Sequence, residues 1–280
     1  MHTVVPGEPR PVAGMPARAE LIVVTSGKGG VGKSNLAVNL GIQLARRGLR
    51  TILLDADLGH ANVDILLDIA PRADLLGLLD PRRRIEDLLT VRAGNLSVVC
   101  GVSPLRHGHQ SCDTDPWSCA AALHRLRRAG DVLLVDCDGG VGGSAAAFAL
   151  ACDCLLLITT PEPTAIAETY AALKLVCQRG FCARAAVLVN MARSAAEAAD
   201  TVRRLQRVAQ QFLGFFLENL GYVPFDRHVP EAVRQRRPFV LRYPRCPAAA
   251  ATAAAACRLH PTGVTARPVS LWGRVASLFI

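Results

Sequence analysis

The sequence of 280 residues is 51% apolar, which is enough to bury the core of one large α/β domain or two small ones. No apolar run reaches the roughly 18–20 residues that a transmembrane helix needs, and the Pro- and Gly-rich start lacks the apolar core of a signal peptide. The formal net charge of +9 favours an anionic partner, either nucleic acid or the lipid of an inner membrane surface.

Short apolar segments alternate with helical patterns along most of the chain. After a loose tail at residues 1–19, strands are predicted at residues 21–25, 50–54, 96–99, 132–135, 154–159, 185–189 and 220–223. Helices are predicted at residues 34–47, 117–128, 145–150, 164–178, 195–216 and 248–256. Apolar strands separated by helices are typical of a parallel sheet. We therefore predict an α/β fold over residues 20–260, with a mostly parallel sheet and helices on both faces.

The loop between the first strand and the first helix matches the phosphate-binding pattern G-x-x-x-x-G-K-[ST]. Its residues are Gly27, Lys28, Gly29, Gly30, Val31, Gly32, Lys33 and Ser34. The glycines let successive backbone N–H groups point at phosphate oxygens, and the following helix adds its positive end. Lys33 is predicted to reach the β- and γ-phosphates, and Ser34 to ligate Mg²⁺.

Three aspartates follow predicted strands, at the edge where open α/β sheets bind ligands. Asp55 and Asp57 end the second strand, and Asp136 ends a hydrophobic strand in the Walker B pattern. We predict that Asp136 holds a water molecule on Mg²⁺ and that Asp55 also supports the ion, again through water. Structural aspartates are the alternative interpretation.

The loop Gly27–Ser34 resembles the deviant Walker A motif of the MinD/ParA ATPases, which are P-loop NTPases marked by an extra lysine, here Lys28. The resemblance implies that Lys28 reaches across a homodimer interface to the partner's ATP. It also implies that Asp57 positions or activates the attacking water. His60 stands where the family usually has an apolar residue, and Asp138 where it usually has no carboxylate.

The same resemblance implies where the base binds. Asn190 is similar to the family's adenine-contacting asparagine, and the segment from Pro224 to Asp226 resembles the loop that closes over the purine. Thr160-Pro-Glu-Pro163 matches a characteristic turn of the family. No N-K-x-D guanine signature appears, so we expect ATP with Mg²⁺.

Residues 57–64, 160–165 and 189–191 are most similar to the FlhG (FleN, YlxH or MotR) branch, which controls flagellar number and placement. This branch implies an FlhF-type GTPase or a flagellar basal-body component as partner. The tail at residues 1–19 shows nothing like the glutamine-containing segment with which many FlhG proteins stimulate FlhF. Stimulation of such a partner is therefore not expected from this tail.

The end of the chain, residues 268–280, has an apolar stripe at helical spacing. One side of the predicted helix carries Leu271, Trp272, Val275, Leu278, Phe279 and Ile280. We predict an amphipathic helix that binds anionic lipid, weakly as one copy and more tightly as two copies on a dimer. The protein would then be cytoplasmic and peripherally attached to the inner face of the cell membrane. A helix docked on its own domain is the alternative.

Two other functions remain open from the sequence. A ParA-type ATPase would bind DNA nonspecifically through the arginines that follow residue 232, a region without acidic residues. An iron–sulfur carrier of the related NifH or Mrp type would need a paired cysteine motif. None of the ten cysteines forms CxxC, so we interpret them as small buried residues in a reducing cytosol.

Overall fold

The structure is a computed structural model, which describes residues 18–57, 62–70, 77–78, 80, 82–92, 95–101, 116–137 and 143–261. Several predictions fall outside these residues: those on the tail up to residue 17, on His60, on Asp138 and on the amphipathic helix at residues 268–280.

The eight strands of one sheet account for all the predicted strands and add one more. They are β1 (Glu20–Thr25), β2 (Thr51–Asp55), β3 (Thr90–Arg92), β4 (Leu96–Val99), β5 (Val132–Asp136), β6 (Cys154–Thr159), β7 (Arg184–Ala192) and β8 (Leu217–Pro224). Their order in the sheet is β3-β4-β2-β5-β1-β6-β7-β8. All neighbours pair in parallel except β3, which is antiparallel to β4 at the edge. The predicted mostly parallel sheet is confirmed.

Ten helices lie in the described ranges. They are α1 (Lys33–Arg46), α2 (Val63–Leu67), α3 (Ile85–Leu88), α4 (Pro116–Arg127), α5 (Gly143–Ala151), α6 (Pro163–Gln178), α7 (Ala195–Leu213), α8 (His228–Arg234), α9 (Phe239–Arg242) and α10 (Pro247–Leu259). None of the described helices is both long and apolar enough to cross a membrane.

Successive residues of each central strand face opposite sides of the sheet. Leu21 and Val23 of β1 belong to one buried cluster, whereas Ile22 and Val24 belong to the other. The first cluster includes residues of α4 to α7, and the second includes residues of α1 and α8 to α10. Both faces are thus covered, which explains why the strands read as continuous apolar runs rather than alternating ones.

The predicted boundaries differ from the structure in two instructive places. Helix α7 ends at Leu213 rather than at residue 216, because Gly214 adopts a left-handed conformation with φ of 62°. The amides of Gly214 and Phe215 then close the helix on the carbonyls of Gln210 and Ala209. Strand β3 was not predicted, since three residues at a sheet edge give too short a pattern to detect.

Candidate functional site

The chain changes direction at the centre of the sheet, where β1 lies between β5 and β6. Open α/β sheets bind ligands at the carboxyl ends of their strands, at such a switch point. The loop Gly27–Ser34, referred to below as the P-loop, leaves β1 at this edge and leads into α1. In register, Asp136 lies beside Val24 of β1 and beside Asp55 of β2. The topology therefore brings the P-loop and the strand-end aspartates together.

Two P-loop glycines are required by close packing. A Cβ on Gly27 would lie 2.1 Å from the carbonyl carbon of Glu168, within α6. A Cβ on Gly32 would lie 2.5 Å from Nδ2 of Asn190, and the φ of Gly32 is +85°. Side chains at these positions would push the loop out of shape, so the cradle of backbone amides depends on glycine.

Lys33 lies between Ser34 and Asp136, and its contact with phosphate stays a prediction. Its Nζ lies 2.7 Å from Oδ1 of Asp136 and 3.2 Å from Oγ of Ser34. The ion pair is almost completely buried. The three residues predicted to hold phosphate and metal are therefore in direct contact with one another.

Asp136 is a buried carboxyl at the end of β5, and its support of Mg²⁺ through water stays a prediction. Among the described residues, its buried Oδ2 has no hydrogen-bond partner. Burial raises the pKa of this carboxyl, although the charge of Lys33 acts in the opposite direction. An unsatisfied buried oxygen is unusual and is consistent with an additional ligand, so the residues present fit Mg²⁺. A magnesium ion would neutralise charge on phosphate oxygens here.

Asp55 has a more structural position than the sequence suggested. Its Oδ1 accepts from the amide of Asp57 at 3.1 Å, and its Oδ2 accepts from the amides of Asn62 and Val63 at 3.1 and 3.2 Å. Asp55 thereby joins the end of β2 to the start of α2. Burial first, and the neighbouring Asp136 second, raise its pKa to about 7. That Asp55 also supports Mg²⁺ through water stays a prediction.

Asp57 is 7% exposed and lies two residues beyond β2, with its amide fixed by Asp55. The location at the ligand-binding edge is compatible with orienting a water. Its catalytic role stays a prediction.

Lys28 has partners in its own chain, which the sequence did not show. Its Nζ donates to Oε2 of Glu162 at 2.6 Å and to Oγ1 of Thr164 at 3.1 Å. Glu162 and Thr164 belong to the turn after β6 and to the first turn of α6. The Glu162 side chain is 62% exposed, so the pair lies on the surface of a single chain. The Thr160-Pro-Glu-Pro163 turn contains Glu162, so this motif could have indicated the contact from the sequence.

Of the residues predicted at the base end, Asn190 lies against the P-loop. Its Nδ2 donates to the carbonyl of Val31 at 2.8 Å. Asp226, in contrast, has both carboxylate oxygens bound within the protein, by His228 and by the amide of Ala248. Pro224 ends β8 and pairs with Ala192. Contacts from Asn190, Pro224 and Asp226 to adenine remain predictions, and the bonded side chain of Asp226 favours a backbone rather than a side-chain contact.

Comparisons with known proteins agree with this geometry. Residues 22–239 match the model of the CobQ/CobB/MinD/ParA nucleotide binding domain. The chain is 36% identical over 253 residues to the antiactivator FleN of Pseudomonas aeruginosa, covering 89% of both chains. It is 29% identical over 226 residues to the flagellum site-determining protein YlxH of Helicobacter pylori, covering 78% of this chain and 74% of that one.

Among solved structures, the MinC:MinD cell division protein complex of Aquifex aeolicus matches with a TM-score of 0.70 and 26% identity. The match covers 90% of this chain and all of that one. The P-loop, the Lys33–Asp136 pair and these likenesses together identify an ATPase that uses ATP and Mg²⁺. The chain belongs to the CobQ/CobB/MinD/ParA nucleotide binding domain family.

Proposed function

We propose that this ATPase is a nucleotide-switched homodimer that binds the inner membrane surface and controls flagellar number or placement. The observation that carries the proposal is the P-loop with its extra lysine, Lys28, on a chain that is similar to FleN and YlxH along most of its length. The name of YlxH describes a flagellum site-determining protein, and the flagellar role comes to this chain by that likeness.

The contacts of Lys28 support a switch between two pairing states. In this single chain its ammonium is held by Glu162 and Thr164 on the surface. An exposed ion pair is worth little in water, so exchange for a triphosphate across a dimer interface is energetically accessible. ATP then favours the dimer because only the dimer supplies the second set of phosphate contacts.

The Asp55 contacts offer a path from nucleotide to surface. Asp55 lies in register with Asp136 and binds the amides of Asn62 and Val63 at the start of α2. A change of charge beside Asp136 on ATP binding acts on Asp55 over a short distance in a poorly solvated environment. We infer that the start of α2, at Asn62 and Val63, responds through Asp55 to the γ-phosphate.

Membrane attachment is proposed from the sequence of residues 268–280. A single short helix gains little after its ordering cost, whereas two copies on one dimer bind through effective concentration. ATP-dependent pairing would thus convert weak anchors into a stable attachment. An FlhF-type GTPase or a basal-body component is the partner class that fits this role.

The biochemical test is cosedimentation of the purified chain with anionic liposomes, with neutral liposomes and with no lipid. The chain should pellet with anionic liposomes in ATP and Mg²⁺ but not in ADP. A chain ending at residue 267 should stay in the supernatant while keeping its ATPase activity. Equal sedimentation in ATP and ADP would contradict the switch, and unaffected binding of the shortened chain would contradict the anchor.

The cellular test counts flagella in a deletion strain that expresses either the wild-type chain or Lys33→Ala. Wild type should restore the normal number and position, and Lys33→Ala should not. Normal flagella in the deletion strain itself would contradict the flagellar role without affecting the ATPase assignment.

Nonspecific DNA binding is the second candidate, and one structural observation favours it. A groove of about 440 Å³ is lined by Arg236, Arg237 and Arg242, with Asp68 as the acidic residue of its lining. Three guanidinium groups suit phosphate oxygens. Plasmid cosedimentation that needs ATP, survives removal of residues 268–280 and is lost in Arg237→Ala would select this function instead.

A further inference from the structure

Three side chains with metal-binding atoms meet just beyond the last strand, in elements that follow β8. They are Asp226 after β8, His228 at the start of α8 and Cys246 at the start of α10. One donor atom from each lies within 4.8 Å of the other two. Among the described residues, no other group of three His, Cys, Asp or Glu side chains has its donor atoms this close together. We propose that Asp226, His228 and Cys246 bind a zinc ion.

The hydrogen bonds of Asp226 hold its carboxylate ready for this role. Backbone amides of His228 and Ala248 donate to Oδ1 and Oδ2 at 3.0 and 3.1 Å. Burial opposes ionisation of Asp226, but the bonds from His228 and Ala248 more than offset it, so its pKa lies below the usual value. The two backbone bonds fix the direction of the carboxylate, as hydrogen bonds from neighbouring groups fix the ligands of a metal.

The ring of His228 and the thiol of Cys246 each carry a proton at the atom that would bind the metal, and the metal can replace both protons. Nδ1 of His228 lies 2.7 Å from Oδ1 of Asp226 and donates to it, because an ionised carboxylate can only accept. When zinc binds, His228 moves this proton to Nε2 and offers the Nδ1 lone pair. Cys246 loses its thiol proton to solvent. A carboxylate and a thiolate together balance the two charges of the ion.

Cys246 is placed to ligate as a thiolate. It is 6% exposed, and its Sγ accepts from the amide of Ala249 at 3.4 Å. Its Sγ is within reach of the donor atoms of Asp226 and His228. The S/N/O donor set is one that zinc takes, with a fourth position left for water.

The site has an opening and would serve a structural purpose. The His228 side chain is 32% exposed, which gives an ion a route in, and its ring packs against Tyr243 with centroids 4.8 Å apart. Zinc would connect the loop after β8 to the starts of α8 and α10. It would thereby fix the C-terminal helices beside the loop that begins at Pro224.

The test uses the untagged full chain, stripped with a chelator and kept free of nucleotide. Zinc is titrated against a chromophoric competitor, and cobalt is used as a spectroscopic substitute. We expect one tightly bound equivalent, an absorption band from thiolate-to-cobalt charge transfer, and a rise in Tm on adding zinc. Cobalt bound to the strand-end aspartates Asp55, Asp57 and Asp136 would give no thiolate band, so these carboxylates cannot mimic this result.

Cys246→Ser is the decisive variant, because a serine oxygen can still accept from the amide of Ala249 and keep the helix cap. It should lose the charge-transfer band and bind zinc at least about tenfold more weakly. His228→Asn should weaken binding to a similar degree. Cys257→Ser, at an exposed cysteine of α10, is the matched control and should bind normally.

Two results would overturn the site. One is a folded wild-type chain that binds no zinc in competition, in which case the cluster is a hydrogen-bonded helix cap only. The other is zinc binding that Cys246→Ser leaves unchanged, which would locate the metal elsewhere.

Discussion

Asp55 and Asp136 are directly opposite each other at the ends of the adjacent parallel strands β2 and β5. Both carboxyls are buried, and both pKa values are raised, mainly by burial. Lys33 supplies a counter-charge to Asp136 at 2.7 Å, whereas Asp55 is satisfied by backbone amides. Burial thus disfavours the charged form of both carboxyls, and a cation beside them would favour it.

Stability should depend on pH through Asp55. Its pKa is about 7 in the folded chain, against a usual value of 3.8, so the folded state keeps a proton that the unfolded state has lost. This stabilisation is complete below about pH 4 and is lost as pH rises through 7, by at most about 1.4 kcal/mol per pH unit. Urea unfolding of nucleotide-free wild type and Asp55→Asn should show wild type losing stability relative to the variant over this range. Parallel curves would contradict the shifted pKa.

Lys33→Ala should abolish ATP binding, because the ammonium that meets the phosphates is gone. It also leaves the buried Asp136 without its partner, which should lower the free energy of unfolding by about 3 kcal/mol at pH 7. Isothermal calorimetry and urea unfolding measure the two effects. Lys174→Ala, at an exposed position of α6, is the matched control and should change neither. Retained ATP affinity in Lys33→Ala would be incompatible with the site.

Lys28→Ala should keep ATP binding and thermal stability but lose ATP-dependent dimers. The ion pair with Glu162 is at the surface, so its removal should not affect folding. Analytical ultracentrifugation with ATP and Mg²⁺ measures the dimer. Glu162→Gln breaks the same intrachain ion pair while keeping Lys28, and should still form dimers. If Lys28→Ala and Glu162→Gln both lose ATP-dependent dimers to the same extent, the loss is explained by the intrachain ion pair and not by a contact of Lys28 across the interface.

Asp57→Asn should bind ATP and form dimers with little turnover, because the amide cannot accept the proton of an attacking water. A loss of about 10²- to 10⁴-fold in kcat is expected for a general base. Phosphate release measures turnover, and calorimetry shows that binding is intact. Unchanged turnover would remove Asp57 from the mechanism.

Asp153→Ala should destabilise the fold without touching the site. Asp153 pairs with the buried Arg127 and accepts from the amide of Leu21 at 2.9 Å. Burial lowers the pKa of Arg127 to about 10, so an unpaired guanidinium there is costly. We expect a loss of about 3–5 kcal/mol in urea unfolding. Asp200→Ala, which breaks exposed pairs on α7, should cost under about 1 kcal/mol.

The sequence by itself determined the sheet, the P-loop and the aspartates at the strand ends. Local patterns carry this information: apolar runs mark buried strands, and glycine spacing marks a loop that must approach phosphate. The location of Asp136 at the ligand-binding edge could be predicted from the sequence alone, because the residue directly follows a buried parallel strand.

Only the tertiary structure decided which distant groups touch. The partners of Lys28 lie more than 130 residues away in sequence. The amides of Asn62 and Val63 that bind Asp55 lie at the start of α2, a helix that the sequence pattern did not predict. None of the cysteines forms CxxC, yet the fold brings donor atoms of Asp226, His228 and Cys246 within 4.8 Å of one another. The expectation that the cysteines are buried was wrong for Cys182 and Cys257, which are exposed. Long-range contacts depend on how elements pack, and no local periodicity encodes that packing.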